Sequence, residues 1–235
     1  MGSMVFLVVD DGSPAGERAE EVLSTTKLDT LQIQTCRITE DIAWNIGGAR
    51  NLGVAMAPTE YVVFFDIDVI VPPKLAGQLL TLVDDERVGS ASRKGRVMLH
   101  FPRNVPIRRD GSTSRPHPAV AMLSKQLYWK VGGCDEAFIG TYGVTDSHFR
   151  YRVTVTKGVS VYPISKRLQW VQPMEVMPKL PKVANNQSVQ ITVPAPEKNN
   201  TLNALLFARL KKDKDIPWSS EYLRFDWTCP APHVE

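Results

Sequence analysis

Cysteine and histidine are scarce in this chain, with three and four copies among 235 residues. Cys36, Cys134 and Cys229 are odd in number, far apart and without a C-x-x-C pair. Such spacing offers neither a zinc site nor a disulfide framework, so a reducing compartment and a cytoplasmic location are expected. No run approaches the roughly 18–20 apolar residues that a membrane span needs, so no transmembrane segment is expected. No charged segment followed by an apolar stretch opens the chain, so no secretion signal is expected, and Met1-Gly2-Ser3 reads as a cloning remnant. The formal net charge is only +3, too little to single out nucleic acid as a partner, although it suits an anionic ligand. No G-x-G-x-x-G follows the first apolar run, which removes the doubly wound dehydrogenases. Internal repeats and low-complexity tracts are also missing.

What is present is an ordinary globular composition, 43% apolar and 23% charged. The length fits one large α/β domain, or a domain with an appendage. Residues 5–9 (VFLVV) form an apolar run closed by Asp10-Asp11-Gly12-Ser13, the pattern of a strand buried on both faces of a parallel sheet. Residues 14–23 carry helical spacing, 31–38 alternate as a strand does, and 46–57 (IGGARNLGVAMA) form a small-residue helix able to approach a sheet closely. Residues 61–65 (YVVFF) are the strongest strand and run directly into Asp66-Ile67-Asp68. A helix over 74–83 follows Pro72-Pro73, proline being tolerated where a first-turn N–H has no partner.

Strands alternating with helices predict βαβ units. Residues 93–118 read as a basic, loop-rich insertion around one strand at 97–101, with Arg103, Arg108 and Arg109 in it. Beyond it, 119–123 is apolar, 125–131 is a short helix ended by Gly132-Gly133, 144–156 is helical and 159–163 is a last strand. Residues 173–200 are a proline-rich irregular excursion, 202–210 an amphipathic helix, and the aromatic tail at 222–227 is expected to fold back. This divides the chain into a core over 4–170 and an excursion with C-terminal helix and tail over 171–235, packed on the same domain.

Ligands of open parallel sheets sit beyond the carboxyl ends of the strands. Asp66 and Asp68 stand there, in a spacing that turns both carboxylates to one side. Facing carboxylates repel, and Mg²⁺ or Mn²⁺ relieves the repulsion while bridging phosphate oxygens. The bland alternative is a pair of strand-end aspartates capping a turn. Asp10 and Asp11 occupy the same edge, where a carboxylate can accept from a base N–H or a ribose hydroxyl; a plain turn with a helix cap is the competing reading. Arg50, near a small-residue helix start, suits anion contact or an ordinary surface role. Asp146 follows a glycine-rich loop and can act as a general base or as a helix cap. His148, alone on its helix, reads as packing more readily than as a metal ligand.

Taken together, FLVVDDGSP, NIGGARNLGVAMAPTEYVVFFDID and GGCDEAFIGTYGVTDSHFRYR resemble, in order and spacing, the GT-A-fold glycosyltransferases of the family-two type. The resemblance spans roughly residues 5–163. It implies an α/β, Rossmann-like GT-A fold, with a mixed, mostly parallel central sheet flanked by helices. By position it places Asp10 and Asp11 at the nucleotide, Arg50 and Asp66 near the donor, Asp66 and Asp68 on a metal, and Asp146 as the general base of an inverting transfer. The implied activity is metal-dependent transfer of a sugar from a nucleotide-sugar, of the UDP type, to the hydroxyl of a glycan, lipid-linked or protein acceptor.

The chain departs from the family in three places. Relatives carry a further strand and helix before the one matching 5–9; here the chain is trimmed, or 5–9 takes the first strand's place. Their Glu-Asp pair is Thr145-Asp146, which leaves one carboxylate as base. No histidine falls between 159 and 200, where many relatives supply a metal ligand, so the third ligand stays open. Two other classes compete. A nucleotidyltransferase would want a Gly/Arg/Lys-rich loop where GSPAGERAEE stands. A non-catalytic nucleotide- or carbohydrate-binding module of a larger glycosyltransferase would keep the fold without the chemistry.

Overall fold

A computed structural model describes residues 4–24, 32–66, 69–70, 73–84, 96–104, 114–163, 175–176, 199–213 and 221–229. Strand β1 (Val5–Asp11) pairs in parallel with β2 (Gln32–Ile38), and β2 continues antiparallel into the two-residue strand β9 (Trp227–Thr228). A second sheet has the order β3 (Tyr61–Phe64), β6 (Ser114–Ser124), β5 (Val97–Asn104), β7 (Ser160–Pro163). The short strands β4 (Val69–Ile70) and β8 (Glu175–Val176) pair antiparallel. The helices are α1 (Ala19–Leu23), α2 (Ile46–Met56), α3 (Pro73–Asp84), α4 (Lys125–Lys130), α5 (Thr145–Val155) and α6 (Thr201–Lys212).

The expected mixed α/β architecture is present. Its parallel pairs are β1 with β2 and β5 with β7, whereas β6 runs antiparallel to both β3 and β5. The sheet is therefore less parallel than the alternation of elements predicts. The reason lies in the basic segment: β5 extends to Asn104 and β6 already begins at Ser114, so the two form an antiparallel pair where a loop around one strand is expected. Arg103 lies in β5 with Arg115 as its register partner; Arg108 and Arg109 lie outside the described residues.

The long strands of this second sheet are covered on both faces, and the side chains sort with period two. Val97, Leu99, Phe101, Val120 and Met122 pack with Leu79 and Leu82 of α3. Met98, Ala121 and Leu123 face the other way, onto Val54, Leu127, Tyr128, Phe149 and Val153 from α2, α4 and α5. A third cluster, Cys36, Ile38, Leu52 and Phe225, joins β2 and α2 to the tail.

Three further expectations are corrected. β1 is half-buried along most of its length, because α1 buries none of its residues and gives that face thin cover. Helix α1 starts at Ala19, not near Pro14, since Gly16 at φ 88° and the Glu17 N–H to Pro14 C=O bond (3.1 Å) make a turn first. Cys36 and Cys229 form a disulfide, against the expectation of none. Their separation in sequence is irrelevant once β9 returns beside β2, where Thr228 pairs with Arg37. The reducing compartment inferred from cysteine spacing loses its basis with that bond. Among the described residues, no helix is long and apolar enough to cross a membrane.

Most of the proline-rich stretch at 173–200 lies outside the described residues.

Candidate functional site

Three elements meet at the carboxyl end of β3. Asp66 follows the strand, Arg50 projects from the middle of α2, and Asp146 lies in the first turn of α5. Arg50 Nη2 donates to Asp66 Oδ1 at 3.0 Å, and Arg50 Nη1 donates to Asp146 Oδ1. One guanidinium thus joins the two carboxylates that the sequence marks as donor-side acid and candidate base. Burial disfavours the charge on Arg50, but Asp146 and Asp66 outweigh it and raise its pKa further above an already high value. The surface-arginine reading of Arg50 is set aside: its side chain is only 11% exposed.

Asp146 is also not the cap of its helix. The capping position is Val144, held at φ 72°, and no side chain closes that end. The carboxylate turns to Arg50 through Oδ1, and its side chain is 27% exposed.

At the end of β1 the two aspartates divide. Asp10 is buried, and its oxygens accept from the N–H groups of Ser13 (2.8 Å) and Ala19 (2.6 Å). Burial pushes its carboxyl up, yet these backbone bonds and Arg37 hold it below the ordinary range. Asp10 therefore shapes the turn and the start of α1. Asp11 accepts a 3.1 Å bond from Asn45 Nδ2, and burial drives its carboxyl up to about 6, with Asp10 and Asp41 adding repulsion against the Asn45 bond. Asp11 is the better placed of the two to receive a ligand.

His148 is packing. It lies between Phe138 (4.6 Å between ring centroids) and Phe207 (5.5 Å), and burial pulls its pKa down to about 4.

The loop that delivers Asp146 is held by residues that the sequence reading passed over. Asn51 accepts from Tyr128 Oη (2.5 Å) and Cys134 N (3.0 Å), and donates to Cys134 O (3.0 Å) and Glu136 Oε1 (2.9 Å). Glu136 in turn accepts from the Leu223 N–H at 2.7 Å, which ties the tail to the same loop. From α6, Asn203 Nδ2 donates to the carbonyls of Phe138 (3.1 Å), Thr141 (2.8 Å) and Gly143 (2.8 Å). Asn51 and Glu136 sit inside the GGARN and GGCDE motifs, so their positions were visible but their pairing was not; Asn203 has no local signal. Beside this loop an open cleft of about 210 Å³ is lined by Trp44, Thr141, Tyr142, Asn199 and Leu202.

Among the described residues, no three His, Cys, Asp or Glu side chains gather as a metal site. Asp68 lies outside the described residues. Asp66 is by its chemistry a hard oxygen donor of the kind that Mg²⁺ and Mn²⁺ accept, and it is 32% exposed, with Oδ1 held by Arg50.

The family model for "Glycosyl transferase family 2" matches residues 6–140, more than half of the chain. This chain belongs to glycosyl transferase family 2. The match takes in β1, the Asp10-Asp11 turn, α2 with Arg50, and the Asp66-Ile67-Asp68 strand end; Asp146 lies beyond it. A comparison with curated proteins gives no match. The family-two assignment makes the protein a glycosyltransferase, with a nucleotide-sugar donor and an acceptor, and it removes the nucleotidyltransferase reading.

Proposed function

We propose that this glycosyltransferase moves a sugar from a UDP-sugar to an acceptor hydroxyl, with inversion at the anomeric carbon and dependence on a divalent metal. The observation that carries the proposal is the double ion pair of Arg50 with Asp66 and Asp146, which joins the donor-side acid to the candidate base.

In this mechanism Asp11 receives the nucleotide, while Asp10 keeps the turn beneath it in shape. Asp66 and Asp68 would hold Mn²⁺ or Mg²⁺, which when bound neutralises charge on the diphosphate leaving group. Arg50 fixes Asp146 by one oxygen and holds Asp66 beside it, which limits the repulsion between the two carboxylates. The acceptor oxygen bonds to the anomeric carbon as the bond from that carbon to the diphosphate oxygen breaks. The hydroxyl proton passes to Asp146, and UDP leaves with the bonding pair.

Incubating a panel of UDP-sugars with the protein and following UDP release, with Mn²⁺ and then with excess chelator, tests the reading. Release is expected to fall at least about tenfold on chelation, because metal charge stabilisation is worth several kcal/mol. Turnover that chelator leaves untouched removes the metal. Retained configuration in the product overturns the in-line, inverting step.

A further inference from the structure

We infer that Asn203 of α6 is a positioning residue for the transfer, holding the entry to α5 so that Asp146 stays against Arg50. This rests on the reading of Asp146 as the base.

Helix α6 adds little to the core. Of its twelve residues only Asn203 is fully buried, while Leu202 and Leu205 are 67% and 64% exposed. A helix docked for its apolar stripe buries its leucines and leaves its amides outside; α6 does the reverse. The buried amide is spent on one loop, where Nδ2 donates to the carbonyls of Phe138, Thr141 and Gly143. An oxygen in the same place would face three carbonyl oxygens, which fixes the orientation of the amide.

Asp146 lies between two points that α6 holds. Before it, Gly143 takes the Asn203 bond, and its backbone runs so near α6 that a Cβ there would meet Asn200 Cβ at 3.2 Å. After it, Phe207 packs on His148 and Tyr151 of α5, with ring centroids 5.5 and 5.6 Å apart. Lys211 Nζ adds a contact 5.5 Å from the Tyr151 ring centroid.

The backbone between these points is strained. Val144 is held at φ 72°, an outlier for a β-branched residue, and its carbonyl accepts the first N–H of α5, from His148 at 2.8 Å. No side chain caps that end of the helix. Such a backbone persists only where its surroundings enforce it. The Gly143 carbonyl belongs to the planar peptide group that leads into Val144, so the Asn203 bond pins one side of the strained torsion. Without that bond Val144 relaxes to negative φ, the start of α5 turns, and Asp146 leaves its register with Arg50. Asp11 and Asp66 stand on other elements, at the ends of β1 and β3, so the donor side keeps its shape.

A double-mutant cycle in the full chain tests the inference, read as kcat for UDP release from a UDP-sugar that the protein turns over. Asn203→Ala should lower kcat by about 10- to 100-fold, the cost of a reacting group displaced by roughly 1 Å. Affinity for UDP, measured by calorimetry, should stay within about threefold of wild type. In an Asp146→Asn background the same substitution should cost less than about twofold, because the base it positions is already gone. A merely structural role would lower the rate equally in both backgrounds. Urea unfolding follows the fold. Should Asn203→Ala lose its cooperative transition, Asn203→Ser, which keeps one donor on a shorter arm, enters the same cycle, with a loss expected near the lower end of that range. Equal losses in both backgrounds, a kcat within about threefold of wild type in the variant used, or a loss confined to UDP affinity overturns the positioning role. Near-normal turnover in Asp146→Asn alone counts against the base reading, and the positioning role falls with it.

Discussion

Arg50 stands between two carboxylates that the chain brings together from β3 and α5, and its cost of burial is met by both. Removing one partner of such a buried charged group leaves the other uncompensated, a loss of about 3–5 kcal/mol in comparable cases. Asp11 carries a different electrostatic burden. Its carboxyl, pushed up to about 6, is neutral below that pH and charged above it. A nucleotide N–H or ribose hydroxyl is accepted more strongly by the charged form. UDP-sugar affinity, measured by calorimetry, is therefore expected to rise with pH through about 6. Between about pH 5 and about pH 7 the gain should be roughly tenfold, following the ionised fraction. In Asp11→Asn the dependence should vanish. A flat profile in the wild-type protein would exclude Asp11 from the nucleotide contact.

Helix α2 carries Arg50 and is positioned by small residues at different contacts. A Cβ on Gly48 would stand 2.2 Å from Asn45 Oδ1 and 2.5 Å from the Phe225 ring, whereas one on Gly53 would meet Val9 Cγ2 at 3.4 Å. Helix propensity favours alanine at either position by about 1 kcal/mol. At Gly48 the collision wins, and Gly48→Ala should destabilise by about 1–3 kcal/mol in urea unfolding, as overpacking does. Gly53→Ala should be neutral or gain up to about 1 kcal/mol in the same experiment. Equal effects at both positions would deny the tail its place against α2. The helix itself was legible as a small-residue segment, and the YVVFF and 159–163 strands as short apolar runs, although two further short strands, β8 and β9, follow the one read as last. The two-residue strand β9 was not, since its register comes from pairing with β2 and leaves no local pattern. The antiparallel β5–β6 pair was masked by basic and proline-rich residues that read as loop.

Over the whole molecule, the tail closes the structure. Phe225 enters the cluster with Ile38 and Leu52, Glu136 holds Leu223, and Cys229 is bonded to Cys36. A cross-link closing so long a loop contributes about 2–5 kcal/mol, chiefly by restricting the unfolded chain. Cys229→Ser should therefore lower stability by about that amount without reductant, and the difference should disappear when wild type and variant are both unfolded in excess reductant. A difference that survives reduction would mean that Cys229 acts by packing alone. The site's members were each visible in the sequence as short motifs, and their order already pointed to family two. Their convergence was not visible, since it depends on Arg50 crossing between strand end and helix start and on buried Asn51, Glu136 and Asn203 holding the loop. The central claim is that this convergence makes Asp146 the base. It is tested most directly by the initial rate of sugar transfer from a turned-over UDP-sugar in Asp146→Asn, with donor affinity measured alongside. The rate should fall by about 10²–10⁴, the usual contribution of a positioned general base, while the donor still binds. A variant that transfers within about threefold of wild type would contradict the account.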